Sequence, residues 1–381
     1  MKNWTSSTKD KREEKMRVRF LMPMLWACLF SNLSIAQPTI ECKQIGFFKE
    51  GLAPIQLRDD WGFLDVNGKI AIEPKFAVYI EEWGALPYFD EGMLVVLDTE
   101  TEKCGYIDKQ GKLVIPYKFT HAFNFSDGIA AIIQDSRVFS LINTEGKIIA
   151  EEIGWHDGGK FKNGLMRFQK EFQNGFMNKK GEVVIEPMFD AATDFCENVA
   201  FVQKDNRWGL IDASGKYIIE PKFKECPEPF SGERTFFIGS DYKRGIIDKE
   251  GKIISEPKYN HTFQFKDGFA VVSLNDSKNQ QFFQIIDLNG KSVKEFPYTN
   301  KYKENVTFFS GFQEGLAIAM KDGKRGMLDT KGNTVIKFEF SVLEPFYSGL
   351  AYAEKFDDKN KKTKKGFINK KGEFVFFVNF I

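Results

Sequence analysis

Carboxylates set beside aromatic rings are the residues of this chain with the clearest means to do chemistry. Positions 77 to 92 read AVYIEEWGALPYFDEG, which places Glu81, Glu82, Asp90 and Glu91 among Trp83, Tyr88 and Phe89. Two carboxylates at the right separation are all that glycoside hydrolysis asks of a protein. Exposed rings can stack on sugars or anchor a protein partner. The stretch is also the longest and least regular connection between expected strands, and loops are where repeat scaffolds carry function. Glu81, Glu82, Trp83, Tyr88 and Phe89 are therefore the candidate contact residues, with core filling as the competing use of the rings.

Other chemistries find less support. Of the three histidines, His121 and His261 hold equivalent repeat positions 140 residues apart, and His156 stands alone. No HExxH or zinc spacing accompanies them, so no metal is expected. No nucleophile elbow, P-loop or dinucleotide fingerprint occurs. GWHDGGKFKNG at 154 to 164 is glycine-rich but lacks the Lys-Ser/Thr of a phosphate loop. Cys42, Cys104, Cys196 and Cys226 match no redox or metal spacing. Cys196 and Cys226 lie about one repeat apart, which leaves open either a bridge between neighbouring units or packed free thiols. No catalytic residue and no cofactor are expected.

The elements that would position any site repeat. RWGLIDASGKYIIEPKF at 207 to 223 holds an apolar alternation, a turn closed by glycine, and a second alternation reaching a proline. Nine copies of Asx-x-x-Gly recur, from Asp65 and Gly68 through Asp108 and Gly111, Asp212 and Gly215, Asp248 and Gly251, to Asn369 and Gly372. The eight steps between the first and last glycine cover 304 residues, a mean period of 38. Asp and Asn accept bonds from amides two residues on, and glycine supplies positive φ, so these acids read as turn formers. Apolar pairs precede every Asx, the mark of a strand packed on both faces. After the turn, KIAIEP, KLVIPY, KYIIEP and KIISEP read as strands stopped by Pro74, Pro116, Pro221 and Pro257. A third strand comes earlier in each unit, as in FKEGLAPI at 48, FDEGMLVV at 89, FKDGFAVV at 265 and FYSGLAYA at 346.

The combined unit, F-x-x-G-L-A-x-V, then W-G-x-I-D-x-x-G-K, then I-x-P-x-F/Y, resembles the WG repeat family of bacterial β-repeat proteins over residues 48 to 380. Trp61-Gly62 and Trp208-Gly209 keep the diagnostic pair. Elsewhere Cys104, Phe139, Asn174, Arg244, Phe283, Arg325 and Lys365 replace the tryptophan, and Ser140 and Gln284 the glycine. The resemblance implies a β-repeat array without an established catalytic motif, often exported, that mediates interactions. The expected fold is all-β: nine three-stranded meanders stacked as an open, solenoid-like array, with a closed propeller-like ring as the alternative. Nine units of three strands depart from the four to eight four-stranded blades usual in propellers.

Residues 1 to 36 are set apart from the array at 37 to 381. MRVRFLMPMLWACLFSNLSIAQ from Met16 has a short basic region, an apolar stretch too short and interrupted to span a membrane, and small residues at Ser34 and Ala36. That is the layout of a secretory signal cleaved near Ala36. Its removal takes seven Lys/Arg and three Asp/Glu, leaving 47 against 50 and a net charge near −3. No nucleic-acid footprint results, and the run KNKKTKK at 359 to 365 reads as a solvated loop. The sequence thus points to an exported, non-catalytic scaffold for an unidentified protein partner or glycan, with envelope polysaccharide binding or processing as the alternative.

Overall fold

A computed structural model describes residues 37–78, 86–134, 138–151, 153, 160–239, 241–297 and 305–381. Among these the chain is all β, with no helix. Nine sheets follow one another, one per repeat. Their core meanders run from Leu52 to Phe76, Met93 to Phe119, Ile129 to Ala150, Leu165 to Phe189, Val199 to Phe223, Arg234 to Tyr259, Phe269 to Phe296, Leu316 to Phe340 and Ala351 to Phe380, and are called blades 1 to 9.

Blade 5 shows how the repeat folds. Val199–Lys204 pairs antiparallel with Arg207–Asp212, which pairs with Tyr217–Phe223. The Asp212 carboxylate accepts the amides of Ser214 and Lys216 at 2.9 and 3.1 Å, and Gly215 donates its N–H to the Asp212 carbonyl at 3.0 Å. The Ser214 hydroxyl, with these amides, holds the Asp212 carboxyl below the usual aspartate range. Asp65, Asp108 and Asp248 cap the same turn in their blades. Leu210 and Ile211 are fully buried, as the apolar pair before the turn requires.

Three details differ from the sequence expectation. First, six sheets carry a further strand ahead of the meander, among them Gln44–Ile45, His121–Ala122, His261–Thr262 and Thr307–Gln313. Most are only two residues long, too short to show as a period. Second, the prolines do not stop their strands. Pro74 lies inside Ile70–Phe76, where the register against the middle strand shifts on either side of Phe63. The proline falls in a bulge, where a missing N–H costs no ladder bond. Third, the strand Lys362–Ile368 begins inside the lysine run, and Lys364 pairs with Asp357 at 2.9 Å, so only 358–361 form the turn.

The array closes. Nine apolar clusters hold the blades together, each shared by two successive blades. An open stack of nine has eight interfaces, and the ninth joins Phe367, Phe376 and Val378 of blade 9 to Ala53, Ile55 and Leu64 of blade 1. Thr39–Cys42, ahead of the first repeat, adds to the outer edge of blade 9 as a parallel strand, with Thr39 opposite Phe377 and Cys42 opposite Phe380. The open array expected from sequence is therefore replaced by a nine-bladed ring. Its physical reason is burial: closure covers the apolar faces that two terminal repeats would otherwise leave to water.

A second set of contacts runs around the same ring. The residue before the glycine in each F-x-x-G accepts backbone amides of the corresponding turn in the next blade. Glu50 takes Glu91 and Gly92 at 2.8 and 2.9 Å, Glu91 takes Gly128 at 2.8 Å, and Asp127 takes Gly164 at 2.7 Å. Asn163, Glu197, Asp267 and Glu314 continue the series. Ser348 completes it by accepting the Gly51 amide at 3.3 Å, across the seam between blades 9 and 1. Blade 6 breaks it, because Gly232 stands where the others have an acceptor side chain.

Candidate binding site at the ring seam

Closing the ring builds the strongest candidate site. Gly46 and Phe47 precede the first repeat, Leu86 and Tyr88 enter from the connection to blade 2, and Glu344, Tyr347, Tyr352 and Phe380 come from blade 9. Together they line a cleft of about 860 Å³. Phe47 stacks between Tyr88 and Tyr347, with ring centroids 4.2 and 4.5 Å apart. Its N–H also donates to the Tyr88 hydroxyl at 3.2 Å. Gly46 is required by this packing, since a Cβ there would lie 2.6 Å from the Tyr88 oxygen and 2.8 Å from Pro54.

The cleft is aromatic and acidic. Phe47 and Phe380 are 42% and 48% exposed. The Tyr352 hydroxyl donates to Glu354 at 2.8 Å, and Lys365 pairs with the same carboxylate at 3.3 Å. Burial, with the adjoining Glu354, pushes the Tyr352 phenol up. Burial likewise pushes Tyr88 up to about 12, against a smaller opposing effect of the Phe47 amide. Both phenols thus stay protonated to higher pH than a free tyrosine.

Of the residues singled out in the sequence, Tyr88 lies in this cleft. Phe89 is 1% exposed and packs on Phe63 with ring centroids 4.8 Å apart, so it fills the core between blades 1 and 2. Glu81, Glu82 and Trp83 lie outside the described residues, as does His156. His121 and His261 sit in the short leading strands of blades 3 and 7. Cys196 and Cys226 are free thiols on the core between blades 5 and 6. Among the described residues no group of His, Cys, Asp and Glu is arranged to hold a metal, and no helix is long and apolar enough to cross a membrane.

Phe47, Tyr347, Tyr352 and Phe380 escape sequence reasoning because they belong to opposite ends of the chain. Two of them do carry a signal. Phe47 doubles the consensus Phe48, and Tyr347 takes a position otherwise held by Lys, Asp, Ser or Gln and, in one unit, by Cys196.

The diagnostic Trp-Gly pair also finds its explanation. At Gly62 a Cβ would sit 2.5 Å from the Ile72 carbonyl oxygen and 2.6 Å from the Pro74 nitrogen. The bulged third strand crosses directly over this glycine. Trp61 beside it is buried, and where the ring is replaced, Asn174 donates to the Phe189 carbonyl at the end of the third strand, and Arg244 and Arg325 donate to carbonyls just beyond it, of Asn260 and Leu343. The position is a structural anchor for the crossover.

Comparison with known families agrees with this geometry. The family model described as WG containing repeat matches residues 61–78, 105–137, 175–208, 208–237, 245–277 and 326–359. The chain is a WG-repeat protein. No curated protein matches it. Among solved structures, this WG-repeat ring is similar to a crystal structure titled as the eukaryotic initiation factor, with a TM-score of 0.52 and 10% identity over 87% of this chain and 98% of that one. Weaker likenesses are to BamB from Moraxella catarrhalis (TM-score 0.33, 11% identity, 84% and 94% covered) and to PorZ, a surface component of the type-IX secretion system of Porphyromonas gingivalis (0.28, 10%, 86% and 59%). At these identities the first likeness speaks for the fold alone.

Proposed function

We propose that this WG-repeat ring is an exported, non-catalytic scaffold that takes a protein partner at the seam cleft. The observation that carries the reading is the cleft's composition: Phe47, Tyr88, Tyr347 and Phe380 beside Glu344, and beside Glu354, which is paired with Lys365. Exposed aromatic rings in a concavity are the usual anchors of protein interfaces. Glu344 beside these rings suits a partner that inserts a Lys or Arg side chain, held by cation–π attraction and a charged hydrogen bond. Export is supported by the basic and apolar segment at 16 to 36. Sequencing of the mature N-terminus tests it, and a start far from Gln37 would remove the exported location from the proposal.

The second reading is binding of an envelope polysaccharide, favoured by the stacked tyrosine and phenylalanine rings. One experiment separates the two. The chain and its Phe47→Ser/Tyr347→Ser variant are used in parallel for cross-linked capture from an envelope extract. A protein cross-linked at the seam and lost with the variant supports the scaffold. Polysaccharide lost with the variant moves the assignment to the second reading. Equal recovery by both chains removes the cleft from either.

A further inference from the structure

Between blades 5 and 6 lies a smaller pocket of opposite character. It has a volume of about 360 Å³, with Phe237 and Ile253 among its walls and Arg207, Lys222 and Lys224 around it. None of the three cations has an ion-pair partner among the described residues, and Glu225 is the one carboxylate lining the pocket. Arg207 opens the middle strand of blade 5, and Lys222 and Lys224 stand on either side of Phe223 at the end of its third strand. The register that pairs Trp208 with Phe223 therefore brings all three to one corner. In a ring of near-neutral total charge, three cations without an ion pair at an apolar pocket, Lys222 lying over the Phe223 ring at 5.3 Å, form a local anion trap.

Tyr242 adds an independent observation. It also lines the pocket and is 78% exposed. Its φ of +63° lies in the left-handed region, where a bulky side chain is rarely found. The turn is held there by the Tyr242 N–H donating to the Gly239 carbonyl at 3.3 Å and by the Asp241 carboxylate accepting the Lys243 amide at 3.3 Å. Glycine or asparagine would take this conformation at less cost. The equivalent turns of other blades place Arg58, Phe172 and Asn279 in the same left-handed conformation, so the backbone belongs to the repeat, and what is particular to blade 6 is an exposed ring set beside three cations.

We propose that this pocket binds a carboxylate carried on a sugar ring, a uronic acid residue of an acidic polysaccharide. The planar carboxylate matches the two-pronged guanidinium of Arg207, with Lys222 and Lys224 adding charge. The C–H face of the pyranose rests on the Tyr242 ring, and the volume suits one or two sugar units. The site stands apart from the seam cleft, so the absence of any partner there leaves this assignment intact.

The test is calorimetric titration of the chain with a galacturonic acid trimer and with its methyl ester, which keeps the ring and loses the charge. The acid is expected to bind at least about tenfold more tightly than the ester, with affinity falling as salt rises. Arg207→Ala/Lys222→Ala/Lys224→Ala should lose the acid at least about tenfold. Tyr242→Gly should weaken it about fivefold while leaving the melting temperature equal or higher, which separates a binding role from a structural one. Equal binding of acid and ester, no binding of either, or binding unchanged in both variants would overturn the assignment. So would a glutamate oligomer that binds as tightly as the trimer, since the pocket would then read charge without the sugar.

Discussion

Alanine at Gly62 would place its methyl group 2.5 Å from the Ile72 carbonyl oxygen, and the same clash recurs at Gly209 with Ile219 at 2.6 Å. Neither glycine has a positive φ, so the constraint comes from the strand that crosses over it. Gly62→Ala should cost about 2–3 kcal/mol in chemical denaturation, the range for forcing a backbone shift in a packed core. Blade 3 supplies the contrast: its third strand, Ile148–Ala150, is only three residues long, against seven in blade 1, and Ser140 occupies the glycine position. Ser140→Ala should therefore change stability by less than about 0.5 kcal/mol, and an equal loss at both sites would refute the crossover explanation. The seam offers a pH test at the same scale. Folding raises the Tyr88 phenol to about 12, from about 10 in an unfolded chain. The neutral form is thus favoured by the fold, its contribution is complete below pH 10, and it is lost as pH rises through 12. Tyrosinate absorbance should show late-titrating rings whose amplitude falls by one ring in Tyr88→Phe while that of Tyr352 remains, and a late amplitude unchanged by the substitution would count against the cleft geometry.

The meanders were legible because each strand carries its own period and each turn its own Asx and glycine, all local properties of the sequence. The short leading strands were not legible, since two residues such as His121–Ala122 hold no alternation to detect. The clasps were half legible: the polar residue before each glycine was visible as a recurring type, while its partner lies in the next repeat. Glu50 satisfies two amides of blade 2's turn, so Glu50→Ala should destabilise by about 1–3 kcal/mol, the cost of leaving charge-assisted bonds unmade. Gly232 is the gap in the series and has a φ of +63°, a conformation that Asp127 and Asp267 also hold at +53°. Gly232→Asp should therefore restore an acceptor for the blade 7 turn and raise stability by about 0.5–1 kcal/mol, with part of the gain from reduced freedom in the unfolded chain. A melting temperature at or below that of the parent chain would show that the clasps follow the ring rather than hold it.

Whether the chain ends as a stack or a ring depends on the rotation between successive blades summed over nine units, and no single repeat encodes that sum. The decisive segment, Thr39–Cys42, precedes the first repeat and shares no pattern with its partner Phe374–Phe380. The candidate site was illegible for the same reason, since Phe47 and Tyr347 stack across the seam from opposite ends of the chain. Closure also changes how the molecule should unfold. An open stack frays from its ends, whereas a ring has no end blade and must first break an interface. The interface between blades 9 and 1 is distinguished by its parallel strand, in which Phe377 donates its N–H to Pro38 and Ile381 donates to Cys42. Removing residues 37 to 42 strips those two bonds and uncovers part of the apolar cluster that contains Cys42, Phe376 and Val378. Hydrogen exchange should then accelerate first in blade 9 and next in blade 1, with blades 4 and 5 still protected, while the parent chain exchanges through one concerted opening. Uniform acceleration around all nine blades would mean that the added strand stabilises the ring as a whole, and no acceleration would mean that the ninth apolar interface closes it unaided.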